Sequence, residues 1–426
     1  MLCFPRPVLL FVFLLLLAPI ACLADDDLVI HGMISQGYLK SSDNNFLTYS
    51  EDGSLEFSEF VLNFQKRMDD RLRIGMQLLS RDLGKAGNNQ TKVDWAYGDY
   101  SLNDNWGLRL GSVKIPFGLY NKFRDIDMLR NTVLLPATVY MEDYRQYITS
   151  MKGGSIYATL PAGKGDFELE LAYGCSELPD PGLIKDMFID FNGPLEQGFS
   201  AMLPAGLQFK HAGDPTADGR TKNGYAAKLL WNTPVEGLRI GGTRLSLNLS
   251  FYETLVFQPV FMPAAPAGLT TVAPGFQSDV TIRFRPLVDV GSFEYVHNKF
   301  TFAGEYMAAH TKQNFAVTTS PAMGPTMTGS LAQTRQGAYL QAIYQHNNRH
   351  IWGIYRGEYF ADRSNKIWTN WQKDTCLSFR YNVTESWCLK IENHWMDGVG
   401  LCQKNLNPNT MDRRWNMLAM KTTYNF

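Results

Sequence analysis

The segment Ser386–Met396 has the sequence SWCLKIENHWM, and its side chains alternate between two chemical classes. The apolar members are Leu389, Ile391 and Trp395, and the ionisable members between them are Lys390, Glu392 and His394. Successive side chains of a β-strand point to opposite faces of its sheet. This period of two therefore predicts a strand with one apolar face and one ionic face.

The same alternation recurs along the chain in runs of roughly ten residues, and we count about 16 such runs. The connections alternate in length, because short ones such as 103–105 and 347–348 fall between long ones such as 175–222 and 253–284. Transmembrane barrels have this asymmetry, with short periplasmic turns and long external loops. The sequence therefore predicts an all-β transmembrane antiparallel β-barrel. Both termini then lie on the periplasmic side, which requires an even number of strands.

A soluble barrel with its apolar face inward would show the same period, so the period alone leaves two arrangements open. The number of strands separates these two arrangements. A ring of about 16 strands is too wide for side chains to fill, whereas barrels of that size enclose water. We therefore expect the apolar face to meet lipid and the ionic face to line a water-filled lumen.

The N-terminus carries a short apolar run, residues 8–17, which follows Arg6 and precedes Cys22-Leu23-Ala24. A run of roughly ten residues is about half of a membrane-spanning helix. Together with the basic residue and the small-residue site it predicts a secretory signal peptide at 1–24, followed by the barrel at 25–426. A lipoprotein signal through Cys22 and an uncleaved membrane anchor are the alternatives.

The composition excludes several classes of protein. The 426 residues include 13% aromatic and 19% charged residues, with a formal net charge of −1. Abundant aromatics argue against disorder, and a net charge near zero argues against nucleic-acid binding. Four cysteines follow the signal peptide, and their spacing matches no zinc motif. A disulfide between Cys376 and Cys402 is geometrically open, whereas Cys376 and Cys388 are out of register. We predict no metal and no cofactor.

The C-terminal run also alternates, and the chain stops on Phe426. One face carries Asn416, Leu418, Met420, Thr422, Tyr424 and Phe426. A terminal aromatic residue, with Tyr424 two positions earlier, resembles the signal that outer-membrane proteins present to their insertion machinery. We therefore expect the barrel assembly machinery to recognise Phe426.

The segment Gly111–Gly118, with the sequence GSVKIPFG, resembles the porin superfamily of Gram-negative bacteria. The resemblance is greatest to the phosphate-selective porin O/P-like branch. Three further segments fit this branch: Asp94–Tyr100, Phe302–Tyr306 and Leu389–Glu392. It implies a homotrimer of 16-stranded barrels in the outer membrane. Phosphate selectivity is not carried over, because this chain has no lysine-rich run like that of the phosphate-selective members.

The connection 115–152 is dense in charge of both signs and follows the predicted strand 106–114. In general porins the equivalent loop folds into the lumen and narrows it. Two facing rows of opposite charge would place a transverse field across a water-filled constriction. We expect a short helix over 126–135, ended by Pro136. The alternative is an exposed loop in contact with lipopolysaccharide or a neighbouring subunit. The candidate constriction residues are Lys114, Arg124, Asp125, Asp127, Arg130, Glu142 and Arg145.

The second candidate set consists of charged residues on the predicted ionic face of the strands. An arginine that faced lipid near the bilayer midplane would cost roughly 2–4 kcal/mol, which favours the lumen. The predicted lumen-wall residues are Arg71, Arg73, Arg81, Arg356, Glu358, Arg380, Lys390 and Glu392. Tryptophans near the strand ends are predicted to form girdles at the membrane interfaces. These are Trp95, Trp106, Trp231, Trp352, Trp387, Trp395 and Trp415.

These features predict a porin in the outer membrane of a Gram-negative bacterium, through which small polar or anionic solutes diffuse passively. Its expected partners are outer-membrane lipid, lipopolysaccharide, the assembly machinery and further copies of the same chain. No phosphate-binding loop, nucleophile elbow or His-Glu-x-x-His motif occurs, so we predict no enzymatic activity. Two alternatives stay open: a non-conducting structural or adhesive barrel plugged by its loops, and an outer-membrane hydrolase.

Overall fold

The computed structural model describes residues 28–84, 86–178, 181–212, 216–264, 268–319 and 326–426. The predicted signal peptide lies outside these residues. The strands are β1 (Leu28–Ser41), β2 (Phe57–Arg67), β3 (Leu72–Leu83), β4 (Ala86–Ser101), β5 (Trp106–Lys114), β6 (Ser150–Ala162), β7 (Gly165–Ser176), β8 (Thr216–Asn232), β9 (Leu238–Phe257), β10 (Val260–Ala264), β11 (Gly268–Ala273), β12 (Phe276–His297), β13 (Phe300–Thr319), β14 (Met327–Gln345), β15 (His350–Phe360), β16 (Trp371–Asn382), β17 (Trp387–Gly398) and β18 (Arg414–Asn425).

Sixteen of these strands form one closed antiparallel barrel, and β10 and β11 form a separate hairpin in a long connection. Each barrel strand pairs with its neighbours in chain order, and β1 pairs with β18 to close the ring. Closure satisfies the backbone hydrogen-bonding groups of every strand, as a bilayer requires. The prediction of an antiparallel barrel of about 16 strands is confirmed.

The barrel has a short-turn end and a long-loop end, as the alternating connections predicted. Residues 102–105 and 346–349 are short turns, whereas the connection after β7 contains helix α2 (Pro181–Ser200). The expected helix over 126–135 is wrong, because only Asp127–Leu129 forms a 3₁₀ turn there. Within the described residues, no helix is long and apolar enough to cross a membrane.

The outward face of the barrel is apolar over much of its area, although Arg244, Asp289 and Arg356 also point outward. In β17, Leu389, Ile391 and Trp395 are 41–48% exposed, while Lys390, Glu392 and His394 are buried inside. This arrangement is the one predicted from the segment's period. Aromatic side chains concentrate on the outer surface near the short-turn end, where Trp231 stacks on Phe167 and Trp352 packs on Phe379. An aromatic belt of this kind is typical of a membrane interface.

Two of the predicted girdle tryptophans face the interior instead. Trp95 is 4% exposed and lies under Gly75 and the ammonium group of Lys114. Trp415 is 2% exposed and donates its indole N–H to the carbonyl oxygen of Gly398. Both indoles therefore serve interior packing, and the girdle interpretation is wrong for these positions.

Buried charged side chains line the interior along β2–β4 and β16–β18, whereas much of the interior face of β9 and β12 is apolar. On β9 and β12 the inward residues form an apolar wall with Leu245, Leu247, Leu249, Phe251, Val280 and Phe284. Phe117, Val139, Tyr147 and Ile148 of the connection after β5 pack against this wall, and Phe188 and Phe199 of α2 belong to the same cluster. Burying one such side chain contributes roughly 1.5–3 kcal/mol, so this packing anchors the connection inside the barrel.

Candidate functional site

The connection after β5 folds into the barrel and contacts its wall almost all the way round. We call residues 115–149 the lumen loop. It includes 3₁₀ turns at Asn121–Phe123, Asp127–Leu129 and Glu142–Tyr144 and the short helix α1 (Arg145–Thr149). Its backbone donates to Thr243 of β9 at 2.9 Å and to Glu305 of β13 at 2.8 Å. The Thr138 hydroxyl donates to the carbonyl oxygen of Ala338 on β14 at 3.1 Å.

Asp127 is the central contact between the loop and the ionic wall. Its carboxylate lies 3.0 Å from the ammonium group of Lys390, 3.3 Å from that of Lys421 and 2.9 Å from the guanidinium group of Arg130. The Thr423 hydroxyl donates a fourth contact at 2.7 Å. Burial alone would raise the pKa of Asp127, but the three cations outweigh burial and hold the pKa well below its ordinary value. The carboxylate is therefore charged in the folded protein.

A second group of ion pairs surrounds Glu142. Its carboxylate lies 2.6 Å from Arg81 of β3 and 3.1 Å from Arg124 of the loop. Arg81 also pairs with Glu59 of β2 at 3.1 Å, and Glu59 pairs with Lys421 at 2.5 Å. These contacts join the Glu142 group and the Asp127 group into one buried network.

A third group joins the end of the loop to β4. Arg145 donates to Asp94 at 3.0 Å and to Asp125 at 2.6 Å. Lys114 lies beside this group, donates to the carbonyl oxygen of Lys122 and rests on the Trp95 ring. Burial alone would raise the pKa of Asp125, but Arg145 and Lys114 outweigh burial and hold the pKa below its ordinary value.

The seven predicted constriction residues therefore lie inside the barrel, but not as facing rows. Carboxylates and cations of the loop and wall are in direct contact, and Arg124, Asp127, Glu142 and Arg145 are all less than a tenth exposed. The physical reason is that a buried charge without a partner is very costly. The expected transverse field across open water is wrong for these pairs.

The predicted wall residues divide into three groups. Arg81, Arg380, Lys390 and Glu392 face inward and bind the lumen loop. Arg73 lies 3.6 Å from the inward carboxylate of Asp99, and Arg71 lies in the turn that precedes β3. Arg356 and Glu358 form the third group and lie on β15.

Arg356 and Glu358 share the outward face of β15 with Trp352 and Ile354, so their assignment to the lumen is wrong. Tyr355 takes the inward position instead and donates to Asp374 at 2.6 Å. Tyrosine is amphipathic, so its hydroxyl suits the polar interior as well as its ring suits an interface. The sequence therefore does not by itself determine which face of β15 its tyrosines occupy.

Two wall residues hold the loop through its backbone. Arg380 donates to the carbonyl oxygen of Met128 at 2.6 Å. Glu392 accepts the backbone N–H of Val133 at 2.8 Å and that of Leu134 at 3.3 Å. These contacts fix the middle of the loop against β16 and β17.

Glu305, which was not among the predicted site residues, holds the opposite side of the loop. Its carboxylate accepts the hydroxyls of Tyr140, Tyr339 and Ser292 and the backbone N–H of Leu119. Glu59 and Lys421 were also missed. All three lie on the face of their strand that points into the barrel. This alternation is the signal that could have identified them.

Two cavities lie on opposite sides of the lumen loop. The long-loop cavity has a volume of about 510 Å³ and is bordered by Arg335, Tyr359 and Gln403. The short-turn cavity has a volume of about 600 Å³ and is bordered by Arg239, Glu294 and Lys299. Leu135 borders both cavities, so the loop is a thin partition at this residue.

No protein-family model and no curated protein matches the sequence. Solved structures do match the fold. The anion-selective porin from Comamonas acidovorans is 9% identical with a TM-score of 0.51, over 94% of this chain and 99% of that chain. Salmonella typhi OmpF in complex with daunomycin is 11% identical with a TM-score of 0.51, over 94% and 97%. The outer membrane channel DcaP of Acinetobacter baumannii is 8% identical with a TM-score of 0.50, over 94% and 97%.

The chain has the porin fold. At these identities the comparison establishes the fold and no more. This fold is the one that the resemblance of Gly111–Gly118 implied. The phosphate-selective O/P-like branch receives no support from it.

Cys175, Cys376, Cys388 and Cys402 are all free, so the disulfide between Cys376 and Cys402 does not form. The Cys402 thiol lies 4.0 Å from the amide oxygen of Gln372 instead.

Proposed function

We propose that the protein is an outer-membrane channel through which small polar or anionic solutes diffuse passively. The observation that carries this proposal is the pair of cavities separated only by the lumen loop within a closed, externally apolar barrel. The ionic interior and the aromatic belt support an orientation in a bilayer. The proposal includes no catalytic step.

The charges around the short-turn cavity favour anions. Five cationic residues border it, Arg124, Arg130, Arg239, Lys299 and Arg380, against the single carboxylate of Glu294. Arg124, Arg130 and Arg239 are paired with Glu142, Asp127 and Glu294. Lys299 and Arg380 instead donate to the carbonyl oxygens of His346 and Met128, so the preference for anions rests on these two cations. Cationic side chains that border a narrow pore attract anions.

We further propose that the lumen loop forms the constriction. Its role there is to narrow the lumen, with its buried charges holding its position. Of the seven candidates, Arg124 and Arg130 border the short-turn cavity and Glu142 borders the long-loop cavity. The homotrimer implied by the resemblance stays a prediction. Contact with lipopolysaccharide and recognition of Phe426 by the assembly machinery also stay predictions. Membership in the O/P-like branch stays a prediction as well.

Single-channel recording in planar bilayers tests the proposal. Full-length mature protein, refolded in detergent, should give discrete open steps and a reversal potential that favours chloride in a potassium chloride gradient. Lys299→Gln should move that potential toward cation preference. Lys164→Gln removes an exposed lysine from another short turn that does not border the cavity, and it should leave the potential unchanged. Equal potentials for wild type and Lys299→Gln would contradict the anion preference.

A closed structural barrel is the second candidate, and a specific observation favours it. The lumen loop is bound to the wall by direct ion pairs on one side and by apolar packing on the other. A barrel filled in this way without a continuous water path would be silent in the same bilayers. Silence from protein with a folded β-barrel spectrum would therefore replace the channel by this candidate.

A further inference from the structure

A cysteine, a glutamate and a histidine meet on the inward face of β16 and β17. Cys376 and His394 are directly opposite each other in the register of the two strands, and Glu392 is the next inward residue of β17. One potential ligand atom from each of the three lies within 4.8 Å of the others. All three side chains are buried, with exposures of 0% for Cys376 and 1% for Glu392 and His394.

The geometry of this group matches the needs of a tetrahedral metal ion. Zinc bonds to sulfur at about 2.3 Å and to nitrogen or oxygen at about 2.0–2.2 Å, which separates neighbouring ligand atoms by about 3.3–3.6 Å. His394 Nε2 already lies 3.4 Å from Glu392 Oε2. The Cys376 sulfur lies within 4.8 Å of both other ligand atoms, so a small adjustment of these side chains would complete the geometry.

A supporting carboxylate stands behind the histidine. Asp374 lies 3.1 Å from His394 Nδ1 and accepts the hydroxyl of Tyr355 at 2.6 Å. Histidines that bind metals commonly place their second nitrogen against such a carboxylate, which sets the ring orientation. Here the contact at Nδ1 leaves Nε2 directed toward Glu392.

We propose that Cys376, Glu392 and His394 bind one Zn²⁺ ion, or a similar borderline-soft divalent cation. One thiolate, one imidazole and one carboxylate form a donor set that suits zinc better than magnesium or calcium. On binding, the Cys376 thiol releases its proton to water and the sulfur coordinates as a thiolate. No electron is transferred in this step.

The bound ion would connect the wall to the lumen loop. Glu392 accepts the backbone N–H groups of Val133 and Leu134, so a metal ligand on the wall also holds the middle of the loop. Leu134 in turn borders the long-loop cavity. The spacing of the cysteines in the sequence could not indicate this site, because its ligands belong to two strands. The site does not depend on conduction.

Cobalt titration tests the proposal directly. Refolded full-length mature protein, freed of metal with a chelator, should bind one Co²⁺ per chain with a thiolate-to-cobalt charge-transfer absorption that Zn²⁺ abolishes by displacement. Cys376→Ser should remove the absorption. Cys388→Ser is the matched control, because this buried inward cysteine lies about 20 Å along β17 from His394 and should leave the absorption intact.

Asp374→Asn provides a second measurement that does not depend on the cysteine. It leaves all three ligands in place and should weaken Co²⁺ binding by about 10–100-fold. If Cys376→Ser fails to fold, this variant decides the question alone. Absence of a stoichiometric cobalt–thiolate absorption in the wild type, or equal Co²⁺ affinity for wild type and Asp374→Asn, would overturn the proposal.

Discussion

The carboxylate of Asp127 lies 3.0 Å from the ammonium group of Lys390, and both side chains are fully buried within the barrel. One residue belongs to the lumen loop and the other to β17, so the pair joins segments that are distant in the chain. Breaking a buried pair leaves an uncompensated charge, which is far more costly than losing an exposed pair. The pair therefore determines where the loop rests against the wall.

Asp127→Asn should lower the free energy of unfolding by about 3–5 kcal/mol, because Lys390 and Lys421 would lose their shared counter-charge. Denaturant titration in detergent, followed by tryptophan fluorescence, measures the change. Arg413→Gln breaks the exposed pair with Asp397 and should cost less than about 1 kcal/mol. Equal effects of the two variants would show that burial gives the Asp127 contact no special weight.

The Glu142 contacts should fail in acid. Burial would raise the pKa of Glu142, but Arg81 and Arg124 outweigh burial and hold it at about 2, below the ordinary value of 4.5. A lowered folded-state pKa stabilises the protein above about pH 4.5, and this contribution disappears as the pH falls toward 2. Its size is on the order of 3 kcal/mol.

Unfolding of wild type and Glu142→Gln at several pH values checks this expectation. The variant should be less stable at pH 7, and the difference should shrink between pH 4.5 and pH 2. Glu236→Gln, in the short turn between β8 and β9, serves as the control. A difference that stayed constant with pH would mean that the charge of Glu142 is not what holds the loop.

The strands could be predicted from the sequence because their signal is local. The alternation in Trp106–Lys114 marks β5 at the bounds that the structure has. The partners of the loop charges could not be predicted in the same way. Asp127 and Lys421 are 294 residues apart, and only closure of the ring between β1 and β18 brings Lys421 to the loop.

The alternation of side chains predicted the wrong face of the sheet where a side chain suits both faces. Tyr355 and Trp415 point inward, although each resembles an outward interface residue in the sequence. Their polar atoms find partners inside, at Asp374 and at the Gly398 carbonyl. The apolar wall of β9 was also missed, because inward leucines are expected only where something apolar covers them. The lumen loop provides that cover, and its fold is a tertiary property.

Glu305 should be as important on the apolar side as Asp127 is on the ionic side. Glu305→Ala leaves the buried hydroxyls of Tyr140 and Tyr339 without their acceptor, at about 1–3 kcal/mol for each. The lumen loop should then become sensitive to protease in the folded barrel. Tyr306→Phe, on the outward face of the same strand, is the control and should leave both stability and protease resistance unchanged.

The closing seam between the chain ends depends on a glycine. Gly32 donates its N–H to the carbonyl oxygen of Phe426 at 2.8 Å and accepts the N–H of Phe426 at 3.0 Å. The Phe426 ring covers Gly32 so closely that an added Cβ would lie 2.1 Å from the ring carbon Cζ. Gly32→Ala must therefore displace the ring, at a cost of about 1–3 kcal/mol.

Refolding yield and unfolding free energy in detergent separate this clash from other effects. Gly32→Ala should lower both, and Phe426→Ala in the same chain should recover much of the loss by removing the ring. Gly291→Ala is the matched control, because an added Cβ there meets nothing within 4 Å. If the double variant were as unstable as the sum of its single changes, the ring would not be the cause. Recovery would instead show that the seam is shaped by these two residues, independently of any role of Phe426 in assembly.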